Sequence, residues 1–568
     1  MLRPLHHDFH PDMTPFKAPF SGALILALFS ITAFAADIDV LDKQRQEPPA
    51  PRSLPPLIIV DDTGKSVLDE GQRFILGGLR VEGATVFSSE SLTKPWRHLY
   101  GQETTFAQIR AIAGQMTKRY RDAGYVLSRV DVPVEQGELD PANAQVRFVV
   151  IEGSLDAIKF EGDEALIARV RGYWRESEAR LLAARPLRYA DVEREMLRLS
   201  DAPGIQATSR FEEGSAAGTT TLVITLKAKP FDVSINGGNT GTASAGRGLV
   251  TVSASLNSLP FVGSRTTLSY TQALDRKEYA SFTAAHSHQF SNGLALNISW
   301  SQSESPEPDS EFARLFDYQT KSSTFTVGAS YALIRSRDLN LSTGLSYEQR
   351  NSESDLLDTR NTRDRLRSVS LDVNFDFSDE WGGVTQVIPT LTRGVPWNGA
   401  TDYDTASSAP IAPAEFTRGK LYLSRNQALP NHFSLYAVAE GQLSSAPLSS
   451  YNRFTLGGSQ FGRAYAPGIV ENDNGVAVSV EGRWSKNLSG FILQPFVFAD
   501  WGKVWPKNGH GTEQVSSVGL GLRFSAARLP GNAPGRANLT LFAARATQSV
   551  GDVDAGDGRV MFQVFYNY

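Results

Sequence analysis

The C-terminal part of the chain, from Pro230 to Tyr568, alternates apolar and polar residues with a period of two. In Leu294–Ser301 every second residue is Leu, Ile or Trp and the residues between are Ala, Asn or Ser, and Val369–Phe377 alternates in the same way. Successive side chains of a β-strand point to opposite faces, so each segment predicts a strand with one apolar and one polar face. A soluble sandwich and a barrel in lipid with a wet lumen share this period, so the period alone leaves both open.

Roughly sixteen such segments follow one another, each of about ten residues or more, which is long enough for a tilted strand to cross the hydrocarbon. Short connections between them alternate with long ones. The short connections cover residues 290–293, 335–337, 378–383 and 487–490, and the long ones cover 304–317, 351–364, 395–415 and 444–474. Short turns of outer-membrane barrels face the periplasm and long loops face the outside, so the pattern places both ends of a barrel in the periplasm.

Residues 74–153 show a mixed α/β pattern instead. A short strand precedes a helix with apolar residues at intervals of three and four, which predicts one buried stripe. The stripe consists of Ile109, Ile112, Met116 and Tyr120. Gly124 is expected to end the helix in left-handed geometry, and two strands are predicted to follow, over residues 126–134 and 145–151.

Residues 154–229 repeat this plan more loosely, with a strand, two helical stretches and two further strands. In the second helix the predicted inward stripe is Val192, Met196 and Leu199. The charged residues between them are expected to form a solvated face, namely Glu193, Arg194, Glu195 and Arg198. Two small α/β domains are therefore expected ahead of the β-rich part.

Residues 1–35 contain the one long apolar run of the chain, Phe20–Ala35, which closes on Ala-Phe-Ala. A run this short, ending in small residues, is typical of a cleavable signal peptide rather than of a spanning helix. The signal peptide favours the membrane barrel over the soluble sandwich, and insertion by strands is expected because no other apolar run is long enough to span. Whether Met1 or Met13 initiates the chain is left open.

Residues 36–73 predict a proline-rich linker. Within it only Ala36–Glu47 could form a helix, and a plug built from so short a helix is left open. Asp62–Ser66 ends like a phosphate loop, but Ile59 stands where the first glycine is required, so no nucleotide site is expected.

The composition narrows the classes of function. A net charge of -5 and a sequence pI near 6.0 give no basic surface for nucleic acid. The chain has no cysteine, which excludes disulfides and thiolate metal sites. No nucleophile-elbow or zinc-protease motif is present, and His286 and His288 share a strand face with Phe282, which predicts a place at the lipid boundary rather than on a metal. We therefore expect no enzyme activity, no cofactor and no metal.

Two lone charges stand out in the β-rich part. Arg463 lies in the long loop Leu456–Gly475, and Asp500 lies in Pro495–Gly502, a strand that otherwise consists of apolar residues and glycine. A charge on a lumen face is costly unless it is paired or hydrated, and an arginine can grip a carboxylate with two bonds. The spacing leaves two interpretations open: the two charges pair inside a barrel, or Arg463 is a solvated loop residue and Asp500 stands alone in a wet lumen.

The residues around these charges resemble the signature motifs of the two-partner secretion transporters, the outer-membrane proteins that export haemolysins and filamentous haemagglutinins. The loop tip reads Gly462-Arg463-Ala464-Tyr465, and the strand reads Phe498-Ala499-Asp500-Trp501-Gly502. Ala464 stands where the family usually has glycine. An alanine there would cost on the order of 1 kcal/mol if the position requires a positive φ.

The α/β part resembles the POTRA domains of the same transporters. Gly124–Pro133 fits the string G-Y-x-x-[ST]-R-x-x-x-P, and Val149–Gly153 reads VVIEG. The resemblance implies a transmembrane β-barrel of about sixteen antiparallel strands in the bacterial outer membrane, with two N-terminal periplasmic α/β POTRA domains. The expected domains are residues 74–153, 154–229 and 230–568.

The resemblance also implies that the protein moves an unfolded partner exoprotein, of adhesin or haemolysin type, from the periplasm to the cell surface. The POTRA domains would bind this partner. A pore loop would be formed by Gly462, Arg463, Ala464 and Tyr465, and its anchoring strand would contribute Phe498, Asp500 and Gly502. The bilayer and, during biogenesis, the barrel assembly machinery are further expected partners, because the terminal Tyr568 resembles the signal by which such barrels are recognised for insertion.

Period two places Glu481 and Arg483 on the inward face of the strand after the loop, and we predict that they line the lumen. Three other functions remain open on the sequence: an outer-membrane assembly insertase, a diffusion porin and a secreted β-rich enzyme. The sequence does not identify the cargo, the oligomeric state or the open or closed state of a pore.

Overall fold

The computed structural model describes residues 73–133, 140–216, 218–242, 245–275, 278–306, 315, 317–526 and 535–568. The predicted signal peptide, linker and plug helix lie outside these described residues, as does the rejected phosphate loop.

The first α/β unit is a four-stranded sheet packed against one long helix. Its elements are β1 (Arg73–Glu82), α1 (Ser89–Thr93), a 3₁₀ turn (Lys94–Leu99), β2 (Glu103–Thr105), α2 (Phe106–Asp122), β3 (Arg129–Asp131) and β4 (Ala144–Ile151). The strand order is β2-β1-β4-β3, with β1 parallel to β4. Helix α2 begins in a capping box between Thr105 and Gln108, which satisfies two of its free N–H groups.

The predicted stripe of α2 is confirmed, because Ile109, Ile112, Met116 and Tyr120 are all buried against the sheet. Gly124 has a φ of 88°, so the predicted left-handed end of the helix is confirmed as well. The strand predicted over 126–134 shrinks to β3. Its first residues form a tight turn in which the Ser128 N–H donates to the Tyr125 carbonyl at 3.0 Å.

The second unit has two helices against a three-stranded sheet. Its elements are β5 (Ser154–Glu161), α3 (Glu164–Ala183), α4 (Tyr189–Asp201), β6 (Ile205–Glu213) and β7 (Thr219–Ala228), in the order β5-β7-β6. The predicted stripe of Val192, Met196 and Leu199 on α4 is confirmed.

No helix among the described residues is long and apolar enough to span a membrane.

The predicted solvated face of α4 is wrong at Glu195, whose side chain is 1% exposed, and the side chains of Arg198 and Glu193 are also mostly buried, at 12% and 15% exposed. The Glu195 carboxylate accepts a hydrogen bond from the Ser177 hydroxyl at 2.6 Å and pairs with Arg180 at 3.1 Å. A buried carboxylate is tolerated when it is paired and hydrogen-bonded. These partners come from α3, so the pattern within α4 could not reveal them.

The C-terminal part closes into one antiparallel barrel. Its strands, with the small separate sheet β19–β20, are β8 (Phe231–Gly238), β9 (Leu249–Asn257), β10 (Ser264–Ala273), β11 (Ala280–Gln289), β12 (Leu294–Ser305), β13 (Gln319–Arg335), β14 (Leu339–Leu356), β15 (Thr359–Ser378), β16 (Gly383–Gly394), β17 (Thr417–Ala428), β18 (Phe433–Ser444), β19 (Phe454–Leu456), β20 (Val470–Asn472), β21 (Asn474–Trp484), β22 (Lys486–Leu488), β23 (Phe491–Trp505), β24 (Glu513–Ala526), β25 (Arg536–Ala546) and β26 (Gly558–Asn567). Strands β21 and β22 both pair with β23 and count as one strand interrupted at Ser485. The barrel therefore has sixteen strands, as predicted.

The alternation of the strands becomes an outer and an inner surface. Leu296, Ile298 and Trp300 are 42–45% exposed on the outside, although they are large and apolar. Such a surface suits lipid and not water. The last strand β26 pairs with β8, which closes the ring, so the sandwich alternative is excluded.

One predicted long loop is a hairpin. Residues 351–364 belong to β14 and β15, which pair up to a two-residue turn at Leu357 and Asp358, with one register shift between Ser354 and Asp355. Both turn residues have positive φ, at 50° and 58°, as a type I′ turn requires. Where the two strands extend beyond the hydrocarbon, both of their faces meet water. The residues there therefore lack the alternating apolar positions that predict a strand, although the backbone pairing continues.

The second α/β unit is clamped to the short-turn end of the barrel. The β9–β10 turn inserts Val262 into the apolar core of that unit, and Ser258 donates its hydroxyl to the Pro203 carbonyl at 2.6 Å. Arg335, at the end of β13, donates twice to Asp201 of α4, at 2.7 Å each. This contact fixes which end of the barrel faces the periplasm.

A second ion pair, Arg337 to Glu193 at 3.2 Å, lies beside it. Burial raises the pKa of Glu193 above its ordinary value, and the charge of Arg337 opposes this only in part. The bidentate Arg335–Asp201 pair is therefore the stronger electrostatic element of the clamp.

Replacing Asp201 with asparagine is expected to loosen the clamp, because the hydrogen bonds to a charged group contribute about 1.5–3 kcal/mol. The chain lacks cysteine, so two introduced cysteines, one on α3 and one on a barrel turn, can carry spin labels. The measured distance distribution between them should broaden in D201N and stay narrow in R210Q, whose Glu161 partner lies within the same α/β unit. Equal distributions in D201N and wild type would contradict this role.

Candidate functional site

The long loop between β18 and β21 folds into the barrel rather than away from it. Its base is the β19–β20 sheet, which lies against the inner wall. Glycines of that wall make room: a Cβ on Gly475 would lie 2.1 Å from the Phe454 ring, and one on Gly502 would lie 2.6 Å from Leu456. Gly502, one of the predicted residues of the anchoring strand, thus leaves the space that Leu456 of the loop occupies.

The loop tip is a tight turn in which the Tyr465 N–H donates to the Gly462 carbonyl at 2.9 Å. Gly462 takes the left-handed conformation, with a φ of 74°. Ala464 does not have a positive φ. An alanine at this position therefore carries no left-handed strain.

Arg463 is 3% exposed and points into the wall. Its guanidinium donates to both carboxylate oxygens of Asp500, from Nη2 to Oδ1 at 2.8 Å and from Nε to Oδ2 at 3.0 Å. The backbone N–H of Arg463 also donates to Oδ2, at 3.1 Å. The structure thus brings together the two lone charges of the sequence, and Arg463 is not a solvated loop residue.

The wall completes the hydrogen bonding of this pair. Asp500 accepts from the hydroxyls of Ser479 at 2.7 Å and Ser517 at 3.0 Å. The guanidinium carbon of Arg463 lies 3.5 Å from the centroid of the Phe498 ring, a favourable cation–π contact. A buried ion pair is stable only when its remaining donors and acceptors are satisfied, and this site meets that condition for the carboxylate.

Glu481 is a second acceptor for the loop, beyond its predicted place on the lumen wall. It accepts from Arg463 Nη1 at 2.6 Å, and it also pairs with Arg483 at 2.7 Å and Arg523 at 3.0 Å. We call the wall residues Asp500, Glu481, Arg483 and Arg523 the loop seat. Together with Arg463 of the loop they form a cluster of two carboxylates and three arginines. Arg523 and Ser517 were not identified from the sequence, although the period of two places both on the lumen face of β24.

Tyr465 ties the tip to the other side of the seat. Its single hydroxyl hydrogen lies between two acceptors, the carbonyl oxygens of Gln548 at 2.7 Å and Ser516 at 3.1 Å. Arg559 donates to the Tyr465 carbonyl at 2.5 Å. The tip is thus held by β21, β23, β24 and the last hairpin at once.

Beside the seated loop the lumen keeps a cavity of about 700 Å³. Its wall is formed by inward residues of β12 to β18, among them Ser299, Thr326 and Lys420, and the loop residues Tyr451 and Phe461 line its other side. The loop therefore narrows the lumen without filling it.

A family model describing the haemolysin secretion/activation proteins ShlB, FhaC and HecB matches residues 218–524, more than half of the chain. The chain belongs to this family. A second model, of the ShlB-type POTRA domain, matches residues 74–153.

Relatives of this family member include the outer membrane transporter CdiB of Dickeya dadantii (strain 3937), 24% identical over 454 residues that cover 78% of both chains. The hemolysin transporter protein ShlB of Serratia marcescens is 22% identical over 502 residues, 83% of both chains. The solved structure of CdiB from Escherichia coli, at 21% identity, superposes with a TM-score of 0.70 over 94% of this chain and 98% of that chain, which shows a common fold.

The ShlB/FhaC/HecB family member described here is thus a two-partner secretion transporter, of the kind that translocates exoproteins across the outer membrane. Its barrel lies in the outer membrane and its POTRA domains lie in the periplasm.

Three predicted positions of this transporter lie away from the loop seat. The backbone N–H of Tyr568 donates to the Val233 carbonyl at 2.8 Å, and Lys229 donates to the Tyr568 carbonyl at 2.6 Å. His286 bonds Thr266 at 2.9 Å on the outer face, and the ring of His288 packs on Phe290. Within the described part of the chain, no three His, Cys, Asp or Glu side chains gather as a metal site.

Proposed function

We propose that this transporter conducts an unfolded partner polypeptide through its lumen and that the Arg463 loop sets the width of the path. The observation that carries the proposal is the bidentate Arg463–Asp500 pair, which holds the loop inside a lumen that remains partly open. Since no nucleotide is available outside the inner membrane, folding of the cargo at the cell surface would draw the chain outward.

In this proposal residues 74–153 and 154–229 are two POTRA domains that receive the cargo in the periplasm. Among the described residues, the edge strands of their sheets are β2 and β3 in the first unit and β5 and β6 in the second, and such edges can accept an extended chain. The clamp between α4 and the barrel turns would hold the second domain at the mouth of the pore.

The remaining roles follow the same scheme. The cargo is of adhesin or haemolysin type, the barrel contacts lipid directly, and Tyr568 is the signal read by the barrel assembly machinery. The protein performs no catalysis. Each of these statements extends the family assignment to this chain.

Loss of the gene in its own host tests the function. Quantitative mass spectrometry of the culture medium, cell surface and outer membrane should show the loss of one large exoprotein and little else. A loss of many outer-membrane barrels would instead indicate an assembly insertase. Unchanged secretion with altered uptake of small solutes would indicate a porin, and either result would overturn the proposal.

A further inference from the structure

One part of the lumen wall is chemically uniform. Residues paired across neighbouring antiparallel strands share a face, so the registers of β9 to β13 define inward rows of five side chains. The row nearest the cell surface is Thr251, Thr271, Ser281, Ser303 and Ser322. The next row is Ser253, Ser269, Thr283, Ser301 and Thr324. The third is Ser255, Thr267, Ala285, Ser299 and Thr326. All but Ala285 carry a hydroxyl, and we name these three rows the hydroxyl wall. Four residues of the first row, Thr271, Ser281, Ser303 and Ser322, are only 3–6% exposed, so the accessible part of the wall is the second row and most of the third.

Strand propensity does not account for this wall. Thr is enriched in strands but Ser is not, and eight of its residues are serine. The outward residues of the same strands are different in kind, for example Leu268, Phe282 and Ile298. Two of the three rows change character at β14, where Arg350 pairs with Thr324 and Glu348 pairs with Thr326, while the first row continues to Ser352. On the other side the second row continues to Ser234 of β8. All three rows carry hydroxyls together, with the exception of Ala285, only on β9 to β13.

The hydroxyl wall stands across the lumen from the loop seat. Its central strand β11 is seven strands from β23 by the shorter way round the ring, and eight is the maximum for sixteen strands. Ser299 and Thr326 border the open cavity. The centre of the wall therefore lies almost opposite Asp500, whereas its edge strand β9 lies two strands from β26, whose Arg559 contacts the loop tip.

The hydroxyls are small, uncharged and already paired with one another. Thr251 bonds Thr271 at 2.8 Å, and Ser253 bonds Ser269 at 2.8 Å. Each hydroxyl offers one donor and two lone pairs, so the bond between Ser253 and Ser269 uses only one of the two hydroxyl hydrogens of that pair. A hydroxyl can replace its bond to the neighbouring hydroxyl by a hydrogen bond to the N–H or the C=O of a passing backbone, whatever the sequence of that chain.

From this arrangement we infer that the hydroxyl wall is the surface along which the extended cargo backbone slides, an inference that rests on the proposed function. A neutral hydrogen bond contributes only about 0.5–1.5 kcal/mol net, so no single contact arrests the chain. Apolar walls would retain apolar cargo segments, and charged walls would retain segments of opposite charge. The partner chemistry is thus an unfolded polypeptide of mixed sequence.

The absence of cysteine permits a direct test by disulfide trapping. Full-length protein in a planar bilayer receives, from the periplasmic side, a synthetic unfolded peptide of Gly, Ser and Asn with one central cysteine and a short arginine tail for voltage pulling. A length of about 40 residues extends to roughly 130–140 Å, several times the hydrocarbon thickness of about 30 Å, so the peptide can span the lumen. Single-cysteine variants S269C and S301C report on the hydroxyl wall. K420C reports on the charged side of the lumen, and L268C reports on the lipid face.

Trapping at S269C and S301C is expected to exceed trapping at K420C by about tenfold, with none at L268C. Equal or greater trapping at K420C would overturn the assignment of the wall while leaving conduction through the lumen intact. No trapping at any inward cysteine would overturn both. As a second measurement, the paired variant S269K/S301K should slow peptide passage several-fold relative to S269A/S301A, and equal passage in the two would also refute the inference.

Discussion

Replacing Asp500 with asparagine is expected to release the loop tip and raise the steady conductance of the barrel. The amide keeps the shape of the side chain but removes the carboxylate charge that the buried Arg463 binds with two hydrogen bonds, and it leaves Glu481 as the remaining charge partner. Breaking a buried ion pair by removing one partner costs about 3–5 kcal/mol, which lowers the seated population of the loop by about a hundredfold or more. Single-channel recording in planar bilayers measures this directly, and secretion of the exoprotein should fall while a heat-modifiable barrel persists.

Ser517→Ala is the matched control for this variant. Its hydroxyl donates to the same carboxylate at 3.0 Å, but its loss leaves both charges in place and should cost only about 1 kcal/mol. Glu481→Gln is expected to lie between the two, because Asp500 still holds Arg463 in that variant. If D500N behaved like S517A in both conductance and secretion, the ion pair would have no part in holding the loop.

Replacing Gly475 with valine is expected to displace the base of the loop without altering any charge. A Cβ at this position would lie 2.1 Å from the Phe454 ring, which is itself buried. Overpacking of a well-packed site costs about 1–3 kcal/mol, so the β19–β20 sheet should leave the wall. Increased protease cleavage within the loop of the intact protein in outer-membrane vesicles, together with a raised conductance, would report this movement.

Gly482→Ala serves as its control, because a Cβ there meets only Val497 at an ordinary 3.6 Å. Both positions lie on β21, so the comparison separates crowding beneath the loop from a general effect on the strand. Cleavage and conductance of G475V equal to those of G482A would show that contact with the wall does not position the loop.

The sequence predicted much of the architecture because the spacing of apolar residues along a strand or helix by itself decides which side chains share a face. A period of two puts Leu296 and Ile298 on one surface whatever the rest of the chain does, and a spacing of three and four does the same for Ile109 and Ile112 on their helix. The number of strands follows from counting such segments. Turn chemistry such as Gly124 is equally local.

Periodicity does not show which other part of the chain packs against each face. Glu195 has the sequence context of a solvated helix residue, but its environment depends on α3 lying over it. Residues 351–364 have the polarity of a loop, and only backbone pairing between two long strands makes them a hairpin.

The loop seat shows the same division. The sequence by itself determined that Arg463 and Asp500 are isolated charges, and its period of two placed Glu481 and Arg483 on the inward face of their strand. Only the tertiary structure decided that one guanidinium reaches two carboxylates on β21 and β23, and that Gly462 rather than Ala464 takes the left-handed turn. The physical reason is that an inward face is set by the backbone of each strand alone, whereas a contact across the lumen requires the ring to close and the loop to enter it.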